Sequence, residues 1–165
     1  MRKAWLSLGS NEGNRTEMLL QALEMLADVF EITEESPVYE TEPWGIADQP
    51  KFLNMCVGIE TELGAYEVLE KINEIEAMLG RLRKTRWGQR TIDIDIVFFE
   101  NEIITGEKLT VPHKYMHERA FVLVPLNDIA PGFVHPLLKK TVKEMLDELP
   151  KEKMTCLGYI RKNTD

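Results

Sequence analysis

Cysteine is almost missing from this chain. Only Cys56 and Cys156 occur among 165 residues, 100 positions apart and with no cysteine or histidine beside either at ligand spacing. That excludes a disulfide framework and a zinc knuckle, and leaves two reduced thiols. Long apolar runs are missing too. The longest covers residues 120–124, far below the roughly 20 residues that span a bilayer. The first residues carry a basic tip without the apolar stretch of a signal peptide, so a cytoplasmic protein is expected. There is no Gly-x-x-x-x-Gly-Lys-[Ser/Thr] sequence and no protein-kinase signature set, which excludes the P-loop and kinase solutions to phosphate binding. Bases are outnumbered, 20 against 28 acids, for a net charge of -8. An acidic surface repels nucleic acid and anionic lipid, so neither is an expected partner. Of three histidines, His113 and His117 stand four apart, but Pro112 argues against the helix that a metal pair would need.

What is present fits one domain over residues 1–165, with enough apolar sequence, 44%, to bury a core. Residues 3–8 read as a strand, and residues 9–14 as a turn. The helix that follows carries Leu19, Ala22, Leu23 and Leu26 on one face. A second strand is expected over 31–40, an irregular loop over 41–51, and a third strand over 53–63 with Met55, Val57 and Ile59 alternating. A second helix is expected over 65–79, with Val68, Leu69, Ile72, Ile75, Ala77 and Leu79 apolar and Gly80 as its C-cap. A fourth strand covers 91–99. The order β-α-β-β-α-β is the ferredoxin-like arrangement of an α+β fold: an antiparallel sheet with helices packed on it. A C-terminal extension follows. In it a hairpin near 102–111, a proline-punctuated stretch over 111–136, a helix near 141–148 and a strand near 155–161 are expected.

The chemistry concentrates in the fourth strand and the segment before it. Residues two apart in a strand share a face, so Asp93 and Asp95 stand side by side, about 6.5–7 Å apart. Ile92, Ile94, Ile96 and Phe98 are expected on the other face. A half-buried strand with a wet polar face accounts for an Asp-x-Asp by itself. So does a divalent cation, which relieves the repulsion of paired carboxylates; hard oxygen donors of this kind suit Mg²⁺. Residues 81–90 contain five bases and no acid, a local inversion of the chain's charge. Arginines feeding into a carboxylate pair suit polyphosphate chemistry, the metal bridging phosphate oxygens and the guanidinium groups holding spreading charge.

The string Arg86-Trp87-Gly88-Gln89-Arg90-Thr91-Ile92-Asp93-Ile94-Asp95-Ile96 resembles the signature of the hydroxymethyldihydropterin pyrophosphokinases of folate biosynthesis. The resemblance extends to Leu8-Gly9-Ser10-Asn11, Thr41-Glu42-Pro43-Trp44-Gly45, Asp48-Gln49-Pro50-Lys51-Phe52-Leu53-Asn54, Leu109-Thr110-Val111-Pro112-His113 and Arg119-Ala120-Phe121-Val122-Leu123. It is weakest over the last ~30 residues. It implies the ferredoxin-like fold and transfer of the β,γ-pyrophosphate of ATP to the hydroxymethyl group of 6-hydroxymethyl-7,8-dihydropterin, releasing AMP, in a monomer. It also implies that Asp93 and Asp95 hold two Mg²⁺ ions, with Asp95 near the attacking hydroxyl. Arg81, Arg83 and Arg90 would contact phosphates. Glu76, Trp87, Ile96, Lys108, Thr110, His113 and Arg119 match nucleotide-side positions. Thr41, Pro43, Trp44, Phe52, Asn54, Trp87 and Phe121 match the pterin pocket. A basic segment closing over both substrates, with Gly80 and Gly88 as hinges, is a further expectation. Lys108, Lys114, Trp44 and a basic segment one residue shorter depart from some members. A divalent-metal phosphohydrolase and a non-catalytic ferredoxin-like ligand-binding module are the competing readings.

Overall fold

The computed structural model describes residues 1–10, 14–41, 51–83 and 92–161, with the side chains of 81–83 outside the description. Strand β1 (Arg2–Ser10) runs through the middle of the sheet. It is antiparallel to β4 (Phe52–Thr61) on one side and to β5 (Asp93–Phe99) on the other. Helix α1 (Arg15–Val29) starts at Asn14, whose side chain accepts the Glu17 N–H at 3.1 Å. Such a cap contributes about 1 kcal/mol. Met18, Leu19, Ala22, Leu23 and Leu26 are its buried stripe.

The strand expected over 31–40 is two strands, β2 (Glu31–Glu35) and β3 (Val38–Thr41), both paired with β4. Pro37 has no N–H to continue a ladder. Buried Ser36 bridges the break instead: its N–H donates to the Cys56 carbonyl, and its Oγ accepts the Cys56 N–H, both at 2.9 Å. Helix α2 (Ala65–Arg83) buries Val68, Ile72, Ile75 and Leu79 and leaves Ala77 exposed. It runs straight through Gly80, so the expected C-cap there is wrong. A glycine inside a helix costs about 1 kcal/mol relative to alanine, and three further helical residues continue past it. Gly88 lies outside the described residues.

The described sheet is ordered β5-β1-β4-β3-β8, with β2 also on β4. Strand order and connectivity up to β5 are those of the ferredoxin-like fold. A hairpin, β6 (Ile104–Thr105) with β7 (Thr110–Val111), follows β5. Then comes a 3-10 turn, Met116–Glu118. Next stands helix α3 (Ala120–Ile129), inside the stretch expected to be irregular. Pro125 lies within it, normally a loss of about 3 kcal/mol. Val122, Leu123 and Leu126 are buried against the sheet, and each contributes about 1.5–3 kcal/mol. Burial outweighs the proline. Helix α4 (Val142–Asp147) begins with a capping box from Thr141 and Glu144. Strand β8 (Met154–Gly158) pairs with β3.

The sheet is covered on both faces. Leu6, Leu8, Met55, Val57, Ile94 and Ile96 pack toward α1 and α2. Trp5, Cys56, Val97, Phe98, Met116 and Leu123 form a second cluster with α3 and α4. Phe98 was expected on the same side as Ile94 and Ile96, but it belongs to the second cluster, and Phe99 to the first. The cause is a β-bulge. Leu6 pairs with Ile96 and Trp5 with Phe98, so Val97 is an extra residue and the alternation inverts after it. Both cysteines are free, and burial pushes the Cys56 thiol far up. Among the described residues no helix is long and apolar enough to cross a membrane.

Candidate functional site

Antiparallel partners point to the same face. Asp93 pairs with Gly9 and Asp95 with Ser7; Gly9 in turn pairs with Asn54, and Ser7 with Cys56. The acid pair therefore opens onto the α3 side of the sheet, in rows that run Asp93-Gly9-Asn54 and Asp95-Ser7-Cys56. Both aspartates precede the bulge, so the expected alternation holds for them. Gly9 is a place of close approach: a Cβ there would stand 3.0 Å from Asn54 Oδ1, which would have to give way. Asn54 is buried, and its Nδ2 donates to Thr41 Oγ1 at 2.9 Å. Arg15 fastens the ends of the neighbouring chain, donating to Glu40 Oε2 at 3.1 Å and to the Lys51 carbonyl at 2.6 Å.

Two cavities meet at the aspartates. The first, about 680 Å³, is walled by Thr41, Phe52, Asn54, Phe121, Glu118 and Glu152, with Ser7 and Gly9 as its floor. The second, about 500 Å³, is walled by Leu69, Ile96, Lys108, Leu109, Thr110, His113 and Lys114. Asp93, Asp95, Tyr115 and Arg119 line both. Each volume lies in the range of small-ligand pockets. Of the residues expected at the pterin side, Thr41, Phe52, Asn54 and Phe121 gather in the first cavity. Of those expected at the nucleotide side, Ile96, Lys108, Thr110 and His113 gather in the second, and Arg119 stands at the junction.

Glu76 lines neither cavity. Its Oε2 accepts the Ile94 N–H at 2.8 Å, between the two aspartates. Arg81 and Arg83 lie in the last turn of α2, and nothing is described of their side chains. Pro43, Trp44, Trp87 and Arg90 fall outside the described residues.

The electrostatics of the first cavity are lopsided. Asp93, Asp95, Glu118 and Glu152 face it, with Arg119 as the described base in its wall. No cluster of three or more acidic, histidine or cysteine ligands occurs among the described residues. Two adjacent carboxylates on an open face suit Mg²⁺, which completes its shell with substrate phosphates and water. His113 lines the second cavity, and its Nδ1 is buried with no hydrogen-bond partner among the described residues. Burial lowers the His113 pKa and nearby Arg119 lowers it further, while Asp95 opposes both.

Sequence reasoning passed over Tyr115, Glu118 and Glu152. Glu152 reaches the cavity only because β8 pairs with β3, a contact across more than a hundred residues. Tyr115 carried a usable signal, standing between His113 and Arg119.

Residues 5–131 match the sequence family described as 7,8-dihydro-6-hydroxymethylpterin-pyrophosphokinase (HPPK). The chain is 46% identical over 151 residues to a 2-amino-4-hydroxy-6-hydroxymethyldihydropteridine pyrophosphokinase of Methylorubrum extorquens, covering 90% of this chain and 94% of that one. It is 38% identical over 157 residues to the protein of that name from Aquifex aeolicus, covering 95% and 98%. Among solved structures, a Plasmodium falciparum HPPK-DHPS chain superposes with a TM-score of 0.74 at 20% identity. It covers 90% of this chain and 43% of its own length, a likeness of fold.

Proposed function

The chain belongs to the 7,8-dihydro-6-hydroxymethylpterin-pyrophosphokinase family, and from that membership we infer that it transfers the β,γ-pyrophosphoryl group of ATP to the hydroxymethyl oxygen of 6-hydroxymethyl-7,8-dihydropterin, releasing AMP, in folate synthesis. The observation that carries the reading to particular residues is the shared wall: two cavities of ligand size joined at one acid pair. The pterin occupies the first. Phe52 and Phe121 enclose its flat bicycle, and Asn54, steadied by Thr41, reads its polar edge. ATP occupies the second, with Ile96, Lys108, Thr110 and His113 around it. Pro43, Trp44 and Trp87 complete the pterin side by resemblance, and Arg81, Arg83 and Arg90 the phosphate side.

Asp93 and Asp95 would hold two Mg²⁺ ions, which would supply Lewis-acid charge to the phosphate oxygens. The pterin oxygen attacks the β-phosphorus, with Asp95 assisting loss of its proton. The bond from the β-phosphorus to the α,β-bridging oxygen breaks, and AMP leaves with that oxygen. Arg119 and the bases of 81–90 take up the charge that spreads over the transferred and leaving groups. Enclosure of both substrates keeps water from the phosphorus. The protein acts as a cytoplasmic monomer with one domain over 1–165.

Product analysis tests this. AMP is expected only when ATP, Mg²⁺ and the reduced hydroxymethylpterin are all present. ADP or free pyrophosphate formed without the pterin would instead make the chain a phosphohydrolase. Asp95 is exposed, so Asp95→Ala is expected to lose turnover by orders of magnitude while melting unchanged. Retained turnover with a collapsed melting temperature would make Asp95 structural.

A further inference from the structure

Tyr115 leaves 46% of its surface exposed, yet two cations lie over its ring. The Arg119 guanidinium carbon lies 5.6 Å from the ring centroid, and Lys114 Nζ lies 5.4 Å from it. Arg119 also lies 5.7 Å from the Phe121 ring, so one guanidinium is held against two aromatic rings. The backbone between them is tightly built. Met116 is fully buried in the second core cluster. Glu118 N–H donates to the Tyr115 carbonyl at 3.0 Å, and Arg119 N–H to the Met116 carbonyl at 3.1 Å. The separation of Tyr115 from Arg119 is thus fixed by a turn anchored in the core. Both residues line both cavities, a property they share only with Asp93 and Asp95 among the described wall residues.

We propose that Tyr115 is a positioning residue for phosphoryl transfer: its ring gathers two cations beside the acid pair, Arg119 where the two cavities meet and Lys114 in the wall of the second. Arginine and lysine each carry many rotamers, and a charge free to sample them stabilises developing negative charge less than one already in place. A ring face favours the few rotamers that lie across it. The acid pair supplies a site for cations, and the Tyr115 platform supplies fixed positive charge in the same shared wall. The role belongs to the ring, not the hydroxyl, because both cations stack on the ring face.

This rests on the pyrophosphoryl-transfer reading, so the test begins with wild-type protein making AMP from ATP and the pterin. Failure there sinks that reading, whatever Tyr115 does. With active wild type, Tyr115→Leu keeps an apolar side chain and removes the π face. It is expected to lower kcat/KM for ATP by roughly 2- to 30-fold, the span of cation–π contacts from exposed to desolvated, with an unchanged melting temperature. Tyr115→Phe is expected to stay within about twofold of wild type. In a Lys114→Ala/Arg119→Ala background, Tyr115→Leu is expected to have no further effect, because its partners are gone. If turnover in that background is too low to follow, the affinity for a Mg²⁺-bound non-hydrolysable ATP analogue carries the same cycle. Three results overturn the proposal: Tyr115→Leu matching wild type, Tyr115→Phe as damaged as Tyr115→Leu, or equal losses in both backgrounds.

Discussion

Removing the Glu76 carboxylate separates two roles that a residue beside a nucleotide site can have. Among the described strands β5 pairs with β1 alone, so amides on its outer edge need partners from elsewhere. Ile94 donates one of these to Glu76 Oε2 at 2.8 Å. Glu76 is thus a strap from α2 to the peptide between Asp93 and Asp95. A hydrogen bond to a charged acceptor contributes about 1.5–3 kcal/mol; Glu76 is half-buried, which favours the lower part of that range. Over 165 residues, a loss in that lower part lowers Tm by about 4–6 °C. The aspartates then lose their fixed spacing, and a misplacement of about 1 Å at a reacting centre costs on the order of 100-fold in rate. Glu76→Ala is expected to lower both Tm and kcat. Glu76→Gln keeps a neutral acceptor and is expected to lose about half as much stability. Calorimetry and steady-state kinetics on the same preparations decide. If Glu76→Ala raises KM for ATP while Tm and kcat stay put, Glu76 is a nucleotide contact and the strap has no mechanical role.

Two further outcomes follow from the site and its surroundings. Gly9→Ala drives a methyl group against Asn54 Oδ1 and forces Asn54 off its bond to Thr41. KM for the pterin is expected to rise roughly 2- to 10-fold, the worth of one hydrogen bond, with KM for ATP unchanged; a rise confined to ATP would contradict the assignment of the first cavity. His135 is buried, and its Nδ1 accepts the Leu137 and Leu138 N–H groups, each at 3.1 Å. Burial lowers its pKa, and nearby His117 lowers it further. The folded state therefore binds the proton less readily than the unfolded chain, whose histidines titrate near 6.5. The stability from neutral His135 is complete above about pH 6.5 and is lost as pH falls through the lowered folded value. His113 is shifted the same way, so His135→Asn is expected to shrink, not abolish, the fall in Tm between about pH 6.5 and 5. An unchanged pH profile would remove the argument.

Local pattern carried far in this chain wherever packing did not bend it. The two apolar helix faces and the alternation of β4 gave the β-α-β-β-α-β order. The period of two gave Asp93 and Asp95 a common face because both precede the bulge. The inversion at Val97 has no local signature: isoleucine, valine and phenylalanine all suit a strand, and only the register against β1 shows which is extra. Helix α3 was hidden by Pro125, whose local cost is outweighed by burial that becomes visible once Trp5 and Phe98 are in place. Pro37 was legible in principle, since a proline interrupts a ladder; Ser36 repairing the gap was not. Glu152 reaches the first cavity through the β3–β8 pairing, a convergence set by topology and not by spacing.

The bulge at Val97 has a consequence for how this strand tolerates change. A slip of one residue in a regular strand exchanges its two faces along the whole length. In β5 the exchange is already made once, between Ile96 and Phe98. Beyond that point Phe98 and Phe99 are gripped by separate cores; before it, Asp93 and Asp95 keep their register with Gly9 and Ser7. The extra residue works as a joint. Repacking around Phe98 is expected to be taken up at that joint, leaving the register of Asp93 and Asp95 against Gly9 and Ser7 in place.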